Sequence, residues 1–166
     1  MGQSENTTLL KIENLHVGFR IGDVKTDAVH DLSLSLEKGS VLGIVGESGS
    51  GKSVTALSIL QLLPYPGAYH DRGKIEFEGQ DVFSLSETDL RKIRGNDIAM
   101  IFQEPMTSLN PLHVIGDQIS ESLLLHRNMN AQAARIETIR LLQRVGIADA
   151  EQRYKSYPHE LSGGQQ

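Results

Sequence analysis

The feature that most constrains this chain is a glycine-rich run matching the pattern G-x-x-x-x-G-K-[ST]: Gly46, Glu47, Ser48, Gly49, Ser50, Gly51, Lys52 and Ser53. An apolar stretch precedes it, and an amphipathic helical pattern ended by Pro64 follows it. In this setting backbone N–H groups and a helix N-terminus cradle phosphates, because the glycines leave no Cβ in the way. Lys52 supplies charge to the β- and γ-phosphates, and the Ser53 hydroxyl coordinates Mg²⁺. The run predicts a nucleotide site, and by itself leaves kinases, GTPases and transport ATPases open.

The apolar periodicity around this run predicts a mixed α/β chain. Residues 41–45 form a continuous apolar run, typical of a strand covered on both faces, and Ile98–Phe102 is a second candidate of that kind. Alternation predicts strands over Leu10–Phe19, with a phase slip at Asn14, and over Leu32–Leu36. Further predictions are a Gly22-Asp23 turn, a 74–78 strand, and helices over 54–63, 87–94 (capped by Ser86 and Asp89), 114–126 and 131–145.

Composition excludes several other classes of protein. A net charge of −5 with scattered basic residues argues against a nucleic-acid partner, whose backbone needs clustered Lys and Arg. The chain has no cysteine, and its six histidines show no pair at metal-ligand spacing. It also has neither a spanning apolar segment nor a signal peptide. If the protein works at a membrane, another subunit holds it there.

A second motif, Leu161-Ser162-Gly163-Gly164-Gln165, narrows the choice. Its hydroxyl and glycine amides can donate to a γ-phosphate, ideally with a helix following them. The pentapeptide resembles the signature of the ABC ATPase family. In that family the phosphate belongs to the nucleotide of a partner domain, so two domains close head-to-tail over two ATP molecules. A generic nucleotide kinase would leave residues 161–165 unexplained.

The resemblance extends over most of the chain, from Leu9 to Gln166, and it assigns further roles. Gln103 occupies the family's Q-loop position, which contacts Mg²⁺ and the attacking water, and Phe19 occupies the position of an aromatic that stacks on adenine. The helical stretch 114–160 matches the subdomain that receives the coupling helices of a transporter. The implied fold is α/β, a P-loop NTPase core with an N-terminal antiparallel β region and a helical subdomain. Residues 1–166 would be the N-terminal part of one ABC ATPase domain: about 9–105 form the β region and core, and about 106–166 the Q-loop, helical subdomain and signature.

Three stretches suggest the subfamily. Residues 102–111 and 157–160 are similar to those of peptide and nickel importers, and Gly46–Leu63 also resembles that group, in particular the duplicated ATPase of oligopeptide importers of the microcin C type. The resemblance implies ATP and Mg²⁺ as cofactors and a place at the cytoplasmic face of the membrane. Its implied partners are two transmembrane permease subunits, a second ABC ATPase domain (homodimer, heterodimer or fused repeat) and, indirectly, a periplasmic or extracellular peptide-binding protein. Peptide and nickel remain alternatives for the cargo.

One expected motif is missing, because Asp-Glu, which in this family holds Mg²⁺ and supplies the general base, occurs nowhere in the chain. Without that base hydrolysis should fall by orders of magnitude. We therefore expect a truncated domain that does not hydrolyse ATP by itself. Two alternatives stay open: a soluble ABC protein that uses ATP as a conformational switch, and a nucleotide-binding fragment without turnover.

Overall fold

The computed structural model describes residues 7–102 and 108–166. The chain divides into two compact units, Met1–Arg91 and Lys92–Gln166. The first unit is built on a four-stranded antiparallel sheet in the order β2-β1-β3-β4. Its strands are β1 (Thr8–Ile21), β2 (Val24–Glu37), β3 (Ala68–Phe77) and β4 (Gln80–Asp81). The predicted N-terminal antiparallel β region is thereby confirmed.

Strands β1 and β2 form a long hairpin around the predicted Gly22-Asp23 turn, which is confirmed by the pairing of Ile21 with Val24. The phase slip predicted at Asn14 is also confirmed, since the register shifts there and Asn14 has a φ of 47°. Such a shift is a β-bulge, in which two residues on one strand oppose one on the other. A second bulge lies on β2, where two residues, His30 and Asp31, lie opposite the single residue His16 of β1.

Two predicted buried strands are wrong. Residues 41–45 and 99–102 have no regular secondary structure, and Ile98 makes only an isolated bridge with Arg94. Val41 and Ile101 are 97% and 92% exposed. An apolar run becomes a buried strand only when neighbouring strands pair with its backbone and other elements cover its faces. The one sheet found in residues 7–102 and 108–166 includes neither run.

Helix α1 (Lys52–Ile59) follows the glycine-rich loop, as predicted, but it ends before Leu63. The apolar side chains that the periodicity placed on one face do pack inward: Leu60 and Leu63 are each 5% exposed, and Val54 and Leu57 contact the core. The core of this unit lies between α1 and the sheet and contains Ile12, Leu15, Val17, Val29, Leu63, Ala68, Ile75, Val82 and Leu90. The loop is thus attached to a packed helix and sheet.

Helix α2 (Glu87–Ile93) spans the sequence boundary between the two units and shows the predicted cap. Ser86 Oγ accepts from the Asp89 backbone N–H at 3.2 Å and donates to Asp89 Oδ2 at 2.7 Å. This reciprocal pair satisfies a backbone donor that the helix itself cannot pair. A short 3₁₀ turn, Val82–Ser84, precedes it.

The second unit is helical, with α3 (Ile115–Arg127), α4 (Ala131–Arg144) and α5 (Ala150–Arg153) followed by a 3₁₀ turn, Pro158–Glu160. Asn130 caps α4 by accepting from the Ala133 N–H at 2.9 Å. The small core consists of Ile115, Leu142, Ile147, Ala150 and Leu161. Both long helices confirm the predictions for this region.

The longest helices described have 13 and 14 residues. Within the described part of the chain, none combines the length and apolarity needed to cross a lipid bilayer.

Candidate phosphate-binding site

The glycine-rich loop is held at its C-terminal end by Gly51, the N-cap of α1. Gly51 is buried and has a φ of 88°. A Cβ at this position would lie 2.6 Å from the Ala28 carbonyl oxygen and 3.0 Å from Val29 Cγ2. Only glycine fits both the left-handed backbone and the contact with β2. The loop is therefore positioned by close packing on the sheet.

Lys52 folds back over the loop. Its Nζ donates to the carbonyl oxygens of Gly46 and Glu47, each at 2.7 Å, and to Ser50 Oγ at 3.2 Å. An ammonium group has three donors, so the three oxygens of the loop saturate it. The charge is thereby held over the concave side of the loop, where incoming phosphate oxygens would compete with these three acceptors.

The N-terminus of α1 adds to the positive potential at the loop. The helix has no acidic residue in its first turn, so its dipole is not offset there. Thr55 N–H and Oγ1 both donate to the Gly51 carbonyl oxygen, at 2.8 and 3.0 Å, and these two hydrogen bonds stabilise the first turn of the helix. Ser53 is exposed, with its hydroxyl available to solvent or a metal ion.

A cavity of about 140 Å³ opens beside the loop, lined by Ala28, Gly49, Gly51, Lys52, Ser53 and Val54. Pockets that enclose whole small molecules usually measure roughly 300–1,000 Å³. The cavity therefore suits a phosphate group, and a nucleoside attached to that phosphate would lie along the open surface. The glycine cradle, the lysine and the helix N-terminus fit a nucleotide phosphate with its Mg²⁺.

Phe19, the predicted adenine-stacking residue, is half-buried near the end of β1, with one side packed on the core. It pairs with Thr26 on β2, two residues from Ala28, which lines the phosphate cavity. Strand geometry puts the Cα atoms of Phe19 and Ala28 roughly 8 Å apart. The register thus brings the aromatic ring to the same end of the sheet as the loop; stacking on adenine stays a prediction.

The signature segment belongs to the second unit. Leu161 is 8% exposed and anchors the segment in the core, whereas Ser162, Gly163, Gly164 and Gln165 are exposed. The Ser162 carbonyl accepts from the N–H groups of Gln165 and Gln166 at 2.9 and 3.0 Å, which closes a single hydrogen-bonded turn. The Gln165 side chain accepts from the Ser162 N–H at 3.1 Å. The hydroxyl and the glycine amides are therefore displayed outward at the start of a helical turn.

The residues before the signature support it in a way that sequence inspection did not detect. Pro158 is buried, and Tyr157 N–H donates to Glu160 Oε2 at 2.7 Å. The Leu161 N–H then donates to the Pro158 carbonyl at 3.1 Å. These hydrogen bonds cap the 3₁₀ turn Pro158–Glu160. The only sequence signal for such a cap is a proline at the start of the turn with a glutamate two residues later. The stretch 157–160 thus fixes where the signature begins.

Gln103, predicted to contact Mg²⁺ and the attacking water, lies outside the described residues, as do residues 104–107 of the Q-loop stretch. In the second unit, a groove of about 810 Å³ runs beside α3. Asn110, Asp117, Gln118, Glu121, Leu124 and Tyr154 are among its lining residues. Gln118 holds the start of this groove by pairing with both backbone groups of Asn110, at 2.9 and 3.0 Å.

Sequence inspection also missed two features of the first unit. Ala28 carries no recognisable signal, yet its carbonyl oxygen is what excludes a side chain at position 51. The spacing of the histidines suggested no metal ligands, but the fold brings His16, Asp27 and His30 together. The first depends on how the loop packs on β2 and the second on how β1 and β2 pair, and local sequence patterns report neither.

A phosphate-binding loop on a helix N-terminus, joined to an antiparallel sheet and followed by a helical unit, defines a P-loop nucleotide-binding domain. The ABC transporter family pattern matches residues 29–166, which is most of the chain. The chain therefore belongs to the ABC transporter family. The dimeric ATP-binding cassette MJ0796, solved with ADP and Pi, has the same fold: it aligns with a TM-score of 0.79 at 24% identity, over 95% of this chain and 65% of that one.

Two curated relatives are similar at higher identity. The peptidoglycan transport ATP-binding protein YejF of Agrobacterium fabrum is 55% identical over 165 residues, 99% of this chain. The oligopeptide transport ATP-binding protein OppD of Bacillus subtilis is 46% identical over 158 residues, 95% of this chain. The chain spans only 30% of the length of the first and 44% of the second. It corresponds to part of an ABC ATPase domain.

Proposed function

We propose that this chain is the ATP-binding part of an ABC transporter subunit that energises peptide import. The observation that carries the proposal is the arrangement of Lys52 and Gly51 around the phosphate cavity. Bound Mg·ATP would supply a phosphoanhydride whose cleavage drives conformational change. The chain's own residues bind it: 46–51 direct backbone N–H groups at the phosphates, Lys52 exchanges its loop acceptors for phosphate oxygens, and Ser53 ligates Mg²⁺.

The signature supports a second half of the proposal, in which two ATPase domains pair head-to-tail. Ser162, Gly163 and Gly164 are exposed, so their donors are accessible to another molecule. We assign them to the γ-phosphate held by a partner domain, which is a second copy, a related subunit or a fused repeat. Leu161 and Gln165 keep them in position, one in the core and one through its hydrogen bond to Ser162.

Hydrolysis needs groups beyond the phosphate loop. Gln103 is assigned to Mg²⁺ and the attacking water, and Phe19 to adenine. Since the 166 residues contain no Asp-Glu pair, the chain alone binds Mg·ATP without turning it over, and a protein as long as its relatives hydrolyses it. In this assignment residues 9–105 form the nucleotide-binding core, and 106–166 form the Q-loop, helical subdomain and signature.

The partners follow from the helical unit and from the relatives. The groove beside α3 is open and lined by both polar and apolar side chains, which suits a short helix from one membrane permease subunit, and the paired ATPase domain would receive the helix of the second. Docking there places the chain at the cytoplasmic face of the membrane. The relatives are named for oligopeptide and peptidoglycan transport. Their common chemistry is peptide, so we propose a peptide cargo, delivered to the permease by a peptide-binding protein outside the membrane.

The experiment is a titration of the tag-free chain with a fluorescent ATP analogue, with and without Mg²⁺. We expect saturable one-to-one binding that is strengthened by Mg²⁺ and displaced by ATP, with no phosphate release. Ser53→Ala should remove the effect of Mg²⁺, whereas Ser35→Ala, an exposed hydroxyl on β2, should behave as wild type. Absence of saturable binding would overturn the nucleotide assignment. Phosphate release by the chain alone would overturn the proposal that turnover needs further residues.

A further inference from the structure

We propose that His16, Asp27 and His30 form a binding site for a divalent transition-metal ion of the Zn²⁺ type on the β1–β2 hairpin. One ligand atom from each residue lies within 4.8 Å of the other two. Two imidazoles and one carboxylate are a donor set that suits Zn²⁺, whereas Mg²⁺ prefers oxygen ligands alone. The site is separate from the phosphate loop and does not depend on the proposed function.

The local pairing of the two strands creates this cluster. Gly18 pairs with Asp27 and Val17 with Val29, so Ala28 is an extra residue on β2. In an unbroken strand Asp27 and His30, three residues apart, would point to opposite faces. The extra residue shifts the alternation by one, which puts both on the face that carries His16.

The distances suit a small metal ion. His16 Nε2 lies 3.3 Å from Asp27 Oδ1. Two ligands on a tetrahedral ion with bonds of about 2.0–2.1 Å are separated by about 3.3 Å. The His16 and His30 rings meet edge to face, with centroids 4.8 Å apart. Small rotations of the exposed His30 and Asp27 side chains complete three ligands, and a solvent water supplies the fourth.

The surroundings of His16 and Asp27 also point to a ligand. The His16 side chain is only 11% exposed, and its Nδ1 is buried with no hydrogen-bond partner among the described residues. With the metal on Nε2, this Nδ1 is left for an ordered water. The Tyr69 hydroxyl donates to Asp27 Oδ1 at 3.4 Å, and such outer partners orient metal-binding carboxylates.

Two cationic side chains near the cluster are engaged with other groups. Arg72 pairs with His16 in the strand register, but its guanidinium is bound to Asp31 at 3.0 Å. Lys25 lies over the Tyr69 ring, 5.2 Å from its centroid. A cation at the cluster would meet the carboxylate of Asp27 directly.

The test is a titration of the tag-free, nucleotide-free chain with Co²⁺, followed by its visible ligand-field absorption. We expect one Co²⁺ per chain, displaced by Zn²⁺ and not by a large excess of Mg²⁺. Loss of an outer-shell partner already weakens metal binding about 10–100-fold, so His30→Ala and Asp27→Asn should each weaken it at least about 10-fold. Both side chains are exposed, so these variants should fold; circular dichroism verifies this.

Matched controls are His113→Ala and Asp23→Asn, which remove an exposed imidazole and an exposed carboxylate elsewhere. These variants should bind as the wild type does. In a second measurement, Zn²⁺ added to the wild-type chain should shift the NMR ring signals of His16 and His30 and leave the other four histidines unchanged. Failure to bind one equivalent, equal affinity in all variants, or shifts confined to other histidines would overturn the site.

Discussion

The two glycine-rich segments, 46–53 and Leu161–Gln165, resemble each other in composition but use their glycines differently. Gly51 is buried against Ala28, and a side chain there would collide with backbone. Gly164 has nothing within 4 Å of where a Cβ would be. The first glycine is required by the packing of its own unit. Among the described residues, no contact requires glycine at position 164, so any requirement there would come from the partner domain that we propose for the signature.

The same contrast holds for the polar groups. Lys52 is fully engaged with oxygens of its own loop, whereas Ser162 lies exposed at the start of a turn. The phosphate loop is thus preorganised within one unit, whereas the donors of the signature are exposed, as the proposed contact with a partner domain requires. Substitutions in the two segments should therefore have different consequences for stability, nucleotide binding and association.

The largest effect is expected for Lys52→Ala, which removes the charged donor from the phosphate cavity. A charge-assisted hydrogen bond contributes about 1.5–3 kcal/mol, and the upper value corresponds to roughly 100-fold in affinity. Titration with a fluorescent ATP analogue should show a loss of about that size or more. Lys155→Ala, an exposed lysine of the second unit, serves as the control. Unchanged affinity in the Lys52 variant would remove the assignment of the phosphate loop.

Ser162→Arg should instead leave nucleotide affinity intact, because Ser162 is exposed and outside the unit that carries the phosphate loop. In a protein as long as its relatives, the bulky cation should block ATP-driven dimerisation, measured by light scattering after gel filtration. Ser162→Ala is the milder comparison and should weaken dimerisation without a steric block. Normal dimerisation of the arginine variant would contradict the role of the signature.

The free energy of unfolding should differ among alanine variants of three glycines. A left-handed conformation costs an L-residue about 1–2 kcal/mol, and overpacking typically adds about 1–3 kcal/mol. Gly51→Ala incurs both costs, and Gly49→Ala, with a φ of 81° but open space around it, incurs only the first. Gly164→Ala should stay within about 0.5 kcal/mol of wild type. Urea unfolding followed by circular dichroism measures all three, and equal losses would contradict the comparison.

The smallest expected effect is on the pH dependence of stability, and it involves only the first unit. Burial lowers the pKa of His70, whose ring packs on Phe83 with centroids 4.4 Å apart. Above its ordinary pKa of about 6.5 His70 is neutral in both states. As pH falls through that value, the unfolded chain binds a proton that the folded chain does not, so the free energy of unfolding decreases. Urea unfolding at pH 7 and pH 5 should show a smaller decrease for His70→Gln than for wild type; an unchanged decrease would contradict the assignment.

Local chemistry was predictable from the sequence wherever a few neighbouring residues decide the outcome. The Gly22-Asp23 turn, the slip at Asn14 and the Ser86 cap all follow from side chains within about four positions of one another. The phosphate loop belongs to this group, since its glycines and lysine are consecutive. The positions of Ala28 and His16 relative to other groups were not predictable, because strand register decides them.

The sequence by itself therefore determined which segments form the site, namely the loop with its lysine and the signature. It also determined the family to which they belong. Only the tertiary structure decided the rest. It left residues 41–45 exposed, since pairing and coverage rather than apolarity make a buried strand. It placed Asp27 beside His16 through one extra residue on β2. It also fixed glycine at position 51, because the contact that excludes any side chain there comes from a strand more than twenty residues away.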